Sequence, residues 1–255
     1  MATRPVYFDC DTGIDDALAL VYLMASPEIS LAGIGTVSGN IDAAQAAVNT
    51  LDLLAMGGRD DVAVAVGAMN PLARPFTGGV PHIHGRNGVG NVELPHTEKQ
   101  PENESAADML VRLAHEHEGE LVVIAIGPLT NLALALQQDP SIAGKVHEVV
   151  IMGGAALVPG NLSAVGEANI WNDPEAAQIV MQAPWQVVLV PLDVTLENYF
   201  EEDDRLALAA SDSELNRALA DILDLYFDFY VAEYGRKLCA LHDPLAAAIA
   251  VGQIT

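Results

Sequence analysis

Short apolar, β-branched runs alternate along this chain with longer Ala- and Leu-rich stretches whose apolar positions recur at helical spacing. The runs predict strands at 6–8, 31–37, 62–66, 121–126, 148–152 and 186–191. The stretches between them predict helices near 15–26, 42–57, 105–117, 130–138, 174–183 and 214–234. Such alternation places the chain in the α/β class: a single three-layer αβα domain over residues 1–255, with a mostly parallel, mixed central sheet covered on both faces. One segment departs from the pattern. Residues 71–104 are rich in Pro, Gly, Asn and His, and an irregular stretch that long in a compact domain is functional or mobile.

In open parallel sheets ligands collect beyond the carboxyl ends of the strands. The polar, glycine-punctuated segments fall there. Asp9-Cys-Asp-Thr-Gly-Ile-Asp-Asp16 follows the first strand, Ser38-Gly-Asn40 the second, Gly127-Pro-Leu-Thr-Asn131 the fourth, and Gly153-Gly154 the fifth. One edge of the sheet therefore gathers the candidate chemistry.

Composition narrows what that chemistry is. With 255 residues, 51% of them hydrophobic, the chain can bury a large core without staples. No apolar run reaches the length of a membrane span, and the first residues lead into a strand without a secretory signal, so the expected location is cytoplasmic. Cys10 and Cys239 make neither a disulfide framework nor a metal-binding pair; each reads as a small packed residue, with Cys10 close enough to the acids for a role there to stay open. The net charge is −24 with only 11 Lys and Arg, which argues against nucleic acid, anionic membranes and polyphosphorylated substrates. Part of that charge is a solvated face: Glu201-Glu-Asp-Asp204 reads as the first turn of a helix.

Asp9, Asp11, Asp15 and Asp16 put four carboxylates into eight residues after a buried strand. Their repulsion in a partly buried turn calls for a cation, and hard oxygens without nearby Cys or His favour Ca²⁺ or Mg²⁺. Gly13 supplies the turn, and Asp15 and Asp16 open the next helix, where either alone would pass as an acidic cap. An EF-hand loop starting at Asp9 would need Gly and Glu where Ile14 and Leu20 stand. A haloacid-dehalogenase-type phosphatase would need Thr or Val where Gly13 stands.

Far along the chain, Leu241-His-Asp-Pro-Leu245 sets His242 beside Asp243 ahead of an Ala-rich helix. Taken in order, the chain holds Asp-x-Asp-x-Gly-x-Asp-Asp-Ala, Ser-Gly-Asn, His-Gly-x-x-Gly, Gly-Pro-Leu-Thr-Asn, Met-Gly-Gly, Gly-Asn, Glu-x-Asn-x-x-x-Asp-Pro-Glu-Ala-Ala and His-Asp-Pro-Leu-Ala. The ordered set resembles the inosine–uridine-preferring nucleoside hydrolase family across almost the whole chain. That resemblance implies the nucleoside hydrolase fold with its Rossmann-like core. It also implies Ca²⁺-dependent hydrolysis of the N-glycosidic bond of ribonucleosides to free base and ribose.

Carried over residue by residue, it implies that Asp11, Asp16, Asp243 and the Ile126 carbonyl are Ca²⁺ ligands. Asp15, Asn40, Asn161, Glu167 and Asn169 are implied ribose contacts, with Asp9 orienting the loop or the ligands from behind. Asp11 would activate a metal-bound water and His242 would protonate the departing base, with His84 in the loop that covers it. A neutral nucleoside suits a site so poor in Lys and Arg.

Tyr226, Tyr230 and Tyr234 recur at helical spacing and form a stripe that either packs in the core or faces the nucleobase, with Tyr230 the candidate base contact. Met152 and Trp171 read as pocket-wall packing, and His82 and His96 as solvated loop residues. Departures from the family pattern include Thr12 in place of a frequent Pro and Ala168 where a larger aromatic often lines the pocket. The resemblance further implies nucleoside salvage, a homodimer or homotetramer, and C-terminal elements in longer relatives beyond those seen here. Two rival readings stay open: a non-catalytic Ca²⁺-stabilised ribosyl-binding protein, and a hydrolase of a modified riboside.

Overall fold

In the computed structural model, which describes residues 3–254, the strand-and-helix alternation closes into a six-stranded sheet between two helical layers. The sheet strands are β1 (Arg4–Cys10), β2 (Ile29–Thr36), β3 (Val64–Val66), β4 (Val122–Ala125), β5 (Glu148–Met152) and β6 (Val187–Val190). They run in the order β3-β2-β1-β4-β5-β6. Every pairing among them is parallel, in line with the mostly parallel sheet expected. Antiparallel pairing is confined to a separate ribbon of β7 (Tyr199–Glu201) and β8 (Leu238–Ala240). Each ribbon strand spans three residues, too short to show period-2 alternation.

Alternation along β1 sets the layers. Val6, Phe8 and Cys10 enter one core with α1 (Ile14–Met24), α2 (Ala43–Met56), α10 (Glu214–Tyr234) and α11 (His242–Ala250). Tyr7 enters the other with α4 (Ala106–Glu116), α5 (Thr130–Gln138) and α7 (Pro174–Gln182). Burial on both faces explains why these strands read as continuous apolar runs. One extra residue, Ala32, sits in β2 where the register with β1 shifts.

Four shorter α-helices, α3 (Pro81–His84), α6 (Ala168–Asn172), α8 (Leu192–Thr195) and α9 (Glu202–Ala209), and a 3-10 helix over Pro140–Gly144 complete the described residues. Helix α3 lies inside the irregular 71–104 segment. Glu201 caps α9 and its backbone N–H donates to Asp204 at 2.9 Å, as the acidic first turn implied. No helix among the described residues is long and apolar enough to cross a membrane.

This strand order reverses direction at β1, whose neighbours are β2 and β4. A sheet of this kind opens a crevice at that switch point, beyond the carboxyl ends of β1 and β4. Asp11 and Ile126 stand there.

Candidate active site

Past the end of β1 the chain turns at Gly13 and enters α1, whose first turn holds Asp15 and Asp16. Asp16 organises the turn. Its Oδ1 accepts from the Asp11 N–H at 3.0 Å, and its Oδ2 accepts from Gly13 N–H at 2.9 Å and from the Asn40 amide at 3.0 Å. Asn40, delivered by the loop after β2, also donates its backbone N–H to Asp11 Oδ2 at 2.6 Å. Two glycines let the backbone close on Asp11. A Cβ at Gly39 would stand 2.1 Å from Asp11 Oδ2, and one at Gly127 would stand 3.0 Å from Oδ1. From the other end of the sequence, α11 packs on α1 and brings Asp243 in its first turn.

Four carboxylates, those of Asp11, Asp15, Asp16 and Asp243, are thus buried together. Among the described residues no Lys or Arg pairs with them; the basic nitrogen within 4.0 Å is His84 Nδ1, 3.9 Å from Asp15 Oδ1. Burial, and then the charge of Asp16, pushes the Asp11 pKa well up. Burial followed by the charge of Asp15 raises Asp16 to about 6, and burial with the charges of Asp15, Asp16 and Asp11 raises Asp243.

Do these residues fit a cation? Asp15, Asp16 and Asp243 each offer an oxygen within 4.8 Å of the others. Asp11 Oδ1 and Asp15 Oδ1 are buried without a hydrogen-bond partner. An all-oxygen donor set with orphaned, mutually repelling carboxylates fits a hard divalent ion. The group differs in one respect from the ligand set the resemblance implies: it includes Asp15, an implied ribose contact, and does not include Asp11.

The opposite wall comes from β4, β5 and α6. Asn169 donates its amide to the Ile126 carbonyl at 2.8 Å and to the Met152 carbonyl at 3.1 Å, so one side chain ties the ends of two strands together. Glu167 caps α6 through the N–H groups of Asn169 at 2.9 Å and Ile170 at 3.1 Å, and holds Gly154 N–H at 2.8 Å. Its pKa is raised by burial against those three bonds. Asn161 meets this wall from an exposed position: its Oδ1 accepts from Ala168 N–H, at the start of α6, at 2.9 Å.

A buried aromatic face closes the crevice. Tyr226 on α10 donates to Asp15 Oδ2 at 3.1 Å. Tyr230, one turn on, lies 3.0 Å from His242 Nε2, while Thr195 Oγ1 lies 2.8 Å from Nδ1. Burial lowers the His242 pKa, with Asp15 opposing; at neutral pH one ring nitrogen donates and the other accepts. His84 Nδ1 accepts the Ile14 N–H at 3.0 Å, which places its ring proton on Nε2, and its ring lies 5.5 Å from that of Tyr226.

A profile described as "Inosine-uridine preferring nucleoside hydrolase" matches residues 6–254. The chain belongs to the inosine-uridine preferring nucleoside hydrolase family. It is 38% identical over 242 residues to uridine nucleosidase 1 of Arabidopsis thaliana, covering 93% of this chain and 71% of the relative. It is 36% identical to the pyrimidine-specific ribonucleoside hydrolase RihA of Citrobacter koseri, covering 96% of this chain and 78% of that one. Among solved structures, the purine-preferring ribonucleoside hydrolase from Gardnerella vaginalis superposes with a TM-score of 0.95 at 35% identity, covering 98% of this chain and 80% of the other. A plant nucleoside hydrolase gives 0.96 at 34% identity, with 99% and 80% covered.

Against this hydrolase frame, sequence reasoning missed two residues that touch the site. Tyr226 was visible in the tyrosine stripe yet not singled out for a contact. Thr195 carried no signal, because it meets His242 from 47 positions away in the chain. Asn131 stood in a quoted motif without a role. Its amide donates to Asp9 Oδ2 and to the Thr36 carbonyl, both at 3.0 Å, while its Oδ1 accepts from Ala68 N–H at 2.8 Å. The buried Cys10 sulfur lies 3.3 Å from Thr12 Oγ1 and 3.7 Å from the Gly35 carbonyl, and Cys239 is buried on β8. His96 meets Asp52 at 3.1 Å from an exposed position.

Proposed function

We propose that this protein hydrolyses the N-glycosidic bond of ribonucleosides in a Ca²⁺-dependent reaction, with Asp11 as general base and His242 as the acid that protonates the departing base. One observation carries the reading: the buried Asp11 Oδ1 has no hydrogen-bond partner and stands beside three further carboxylates. Asp11, Asp16, Asp243 and the Ile126 carbonyl would hold the ion, with an oxygen of Asp15 close to the same group. The chemistry that Ca²⁺ supplies when bound is neutralisation of these carboxylates, a lowered pKa for water and a hold on ribose hydroxyls.

The chain's own residues do the rest. Asp11 Oδ1 accepts the proton of the water that attacks C1′, its other oxygen being pinned by Asn40. Asp15, Asn40, Glu167 and Asn169 orient the ribose, and the surrounding negative charge stabilises the oxocarbenium-like transition state. In its imidazolium form His242 gives one proton to the leaving base and returns to neutral imidazole; burial, which lowers its pKa, makes that form the stronger acid, and Thr195 and Tyr230 fix the ring. A salvage role and a homo-oligomer belong to this reading through the family resemblance alone, and a cytoplasmic location through the sequence expectation.

Relatives carry names for both pyrimidine and purine preference, so the test spans both. Metal-loaded protein should release reducing sugar from inosine, uridine or cytidine, and a chelator should stop it. Nucleoside binding without release from any riboside would favour the ribosyl-binding alternative and overturn the hydrolase reading.

A further inference from the structure

We propose that Arg74 is a positioning residue, which locks the short helical turn that presents Asn169 to the substrate. The role of Asn169 rests on the hydrolase reading above; the means by which its turn is held rests on the geometry alone.

Helix α6 has five residues, far too few to be stable by itself. Its amino end is well tied: Glu167 accepts two of its N–H groups and Asn161 a third. At its carboxyl end the carbonyls of Trp171 and Asn172 lack helical donors, as the last carbonyls of any helix do. One nitrogen of Arg74, reaching across from the 71–104 segment, donates to both: to Trp171, and to Asn172 at 2.9 Å. The same guanidinium lies 4.4 Å from the centre of the Trp171 ring, which is 44% exposed. A planar cation against a helix carboxyl terminus also suits the helix dipole. In a chain with 11 Lys and Arg against 35 acids, a cation spent here is notable.

Arg74 is not needed for the fold itself. The adjoining Asp173 is fully buried and accepts from Leu72 N–H at 2.9 Å, Thr130 Oγ1 at 2.6 Å and Ala176 N–H at 3.0 Å. These bonds anchor the start of α7 without Arg74. Glu167 is likewise fixed by three backbone N–H groups. Asn169, in the middle of the turn, has its amide held by the Ile126 and Met152 carbonyls, and the two closed ends of the turn hold its backbone behind those bonds. Beside the turn lies a cavity of about 380 Å³, lined by Arg74, Trp171, Ile170 and Glu167. It gives the turn room to shift if the clasp opens.

The test compares Arg74→Ala and Arg74→Lys with wild type at saturating Ca²⁺. An interaction that orients ribose equally in the ground and transition states shows in KM: Arg74→Ala should raise KM for inosine or uridine about tenfold and leave kcat within about twofold. Lys can serve one carbonyl but lacks the planar face, so its KM should fall between the two. If Arg74 acts through Asn169, the Arg74→Ala effect should shrink to less than about twofold in an Asn169→Ala background. An unchanged KM, a fall in kcat at constant KM, or a full effect persisting without Asn169 would each overturn the proposal. Should Arg74→Ala fold poorly, Arg74→Lys decides by the same criteria. Inactive wild type sinks the hydrolase reading and leaves the clasp to be read from calorimetric nucleoside Kd values in the same variants.

Discussion

Asp9 and Asp11 stand two residues apart at the end of one strand, and both are buried, at 0% and 1% exposure. Asp9 faces the α4–α5 layer, where Tyr7 donates to Oδ2 at 2.7 Å and Asn131 donates at 3.0 Å. Burial lifts its pKa to about 7 in spite of these two bonds. Asp11 faces the crevice, where one oxygen is held by Asn40 and the other by nothing. Similar burial has opposite meanings in the two places. Neutral donors around Asp9 make a knot that holds the ends of β1 and β2 together through Asn131, whereas around Asp11 further carboxylates supply repulsion that only a cation relieves.

Substitution separates the two most strongly. Asp11→Ala should lower kcat/KM by about 10³-fold through loss of the general base, with circular dichroism unchanged. Because one like charge is gone, its metal-free thermal midpoint should not fall below that of wild type. Equal loss of activity in Asp11→Ala and Asp9→Asn would erase the distinction drawn here.

A smaller effect is expected on the Asp9 side. Asp9→Asn turns an acceptor-only group into one that also donates, facing the donors of Tyr7 and Asn131. Denaturant titration should show a loss of about 1–3 kcal/mol, the penalty of an unsatisfied buried polar group. Its activity should stay within about tenfold of wild type if the site is only tilted.

The finest distinction is in pH dependence. Asp9 at about 7, Asp16 at about 6, and the raised Asp11 and Asp243 all have folded pKa values above the unfolded value near 4. At these four carboxylates the folded, metal-free chain therefore binds more protons than the unfolded chain, which outweighs the opposite contribution of the two buried histidines His84 and His242, and stability should fall as pH rises from about 4 to 7. Added Ca²⁺ should abolish the part due to the cluster and spare the part due to Asp9. A thermal midpoint that rises with pH across that range in chelator would contradict this assignment.

Much of the arrangement was legible in the sequence because its physics is local. Six apolar runs gave the six sheet strands, and glycine-punctuated acids at their ends marked the crevice. What was hidden depends on long-range closure. The two short antiparallel strands form their own ribbon and carry almost no periodic signal. His242 and Asp243 open α11 rather than precede it. Thr195 and Arg74 reach their partners only through tertiary packing. Asp15 and Asp16 are successive residues of a helix, which ordinarily face apart, yet the fold sets an oxygen of each near Asp243.

The central claim is that the carboxylates past β1 are built around a cation while Asp9 is not. Calorimetric titration of Ca²⁺ into chelator-stripped protein tests it most directly. Wild type and Asp9→Asn should bind a single ion per chain, and Asp16→Asn should lose that binding. Absence of binding to wild type, or undiminished binding to Asp16→Asn, would contradict the account.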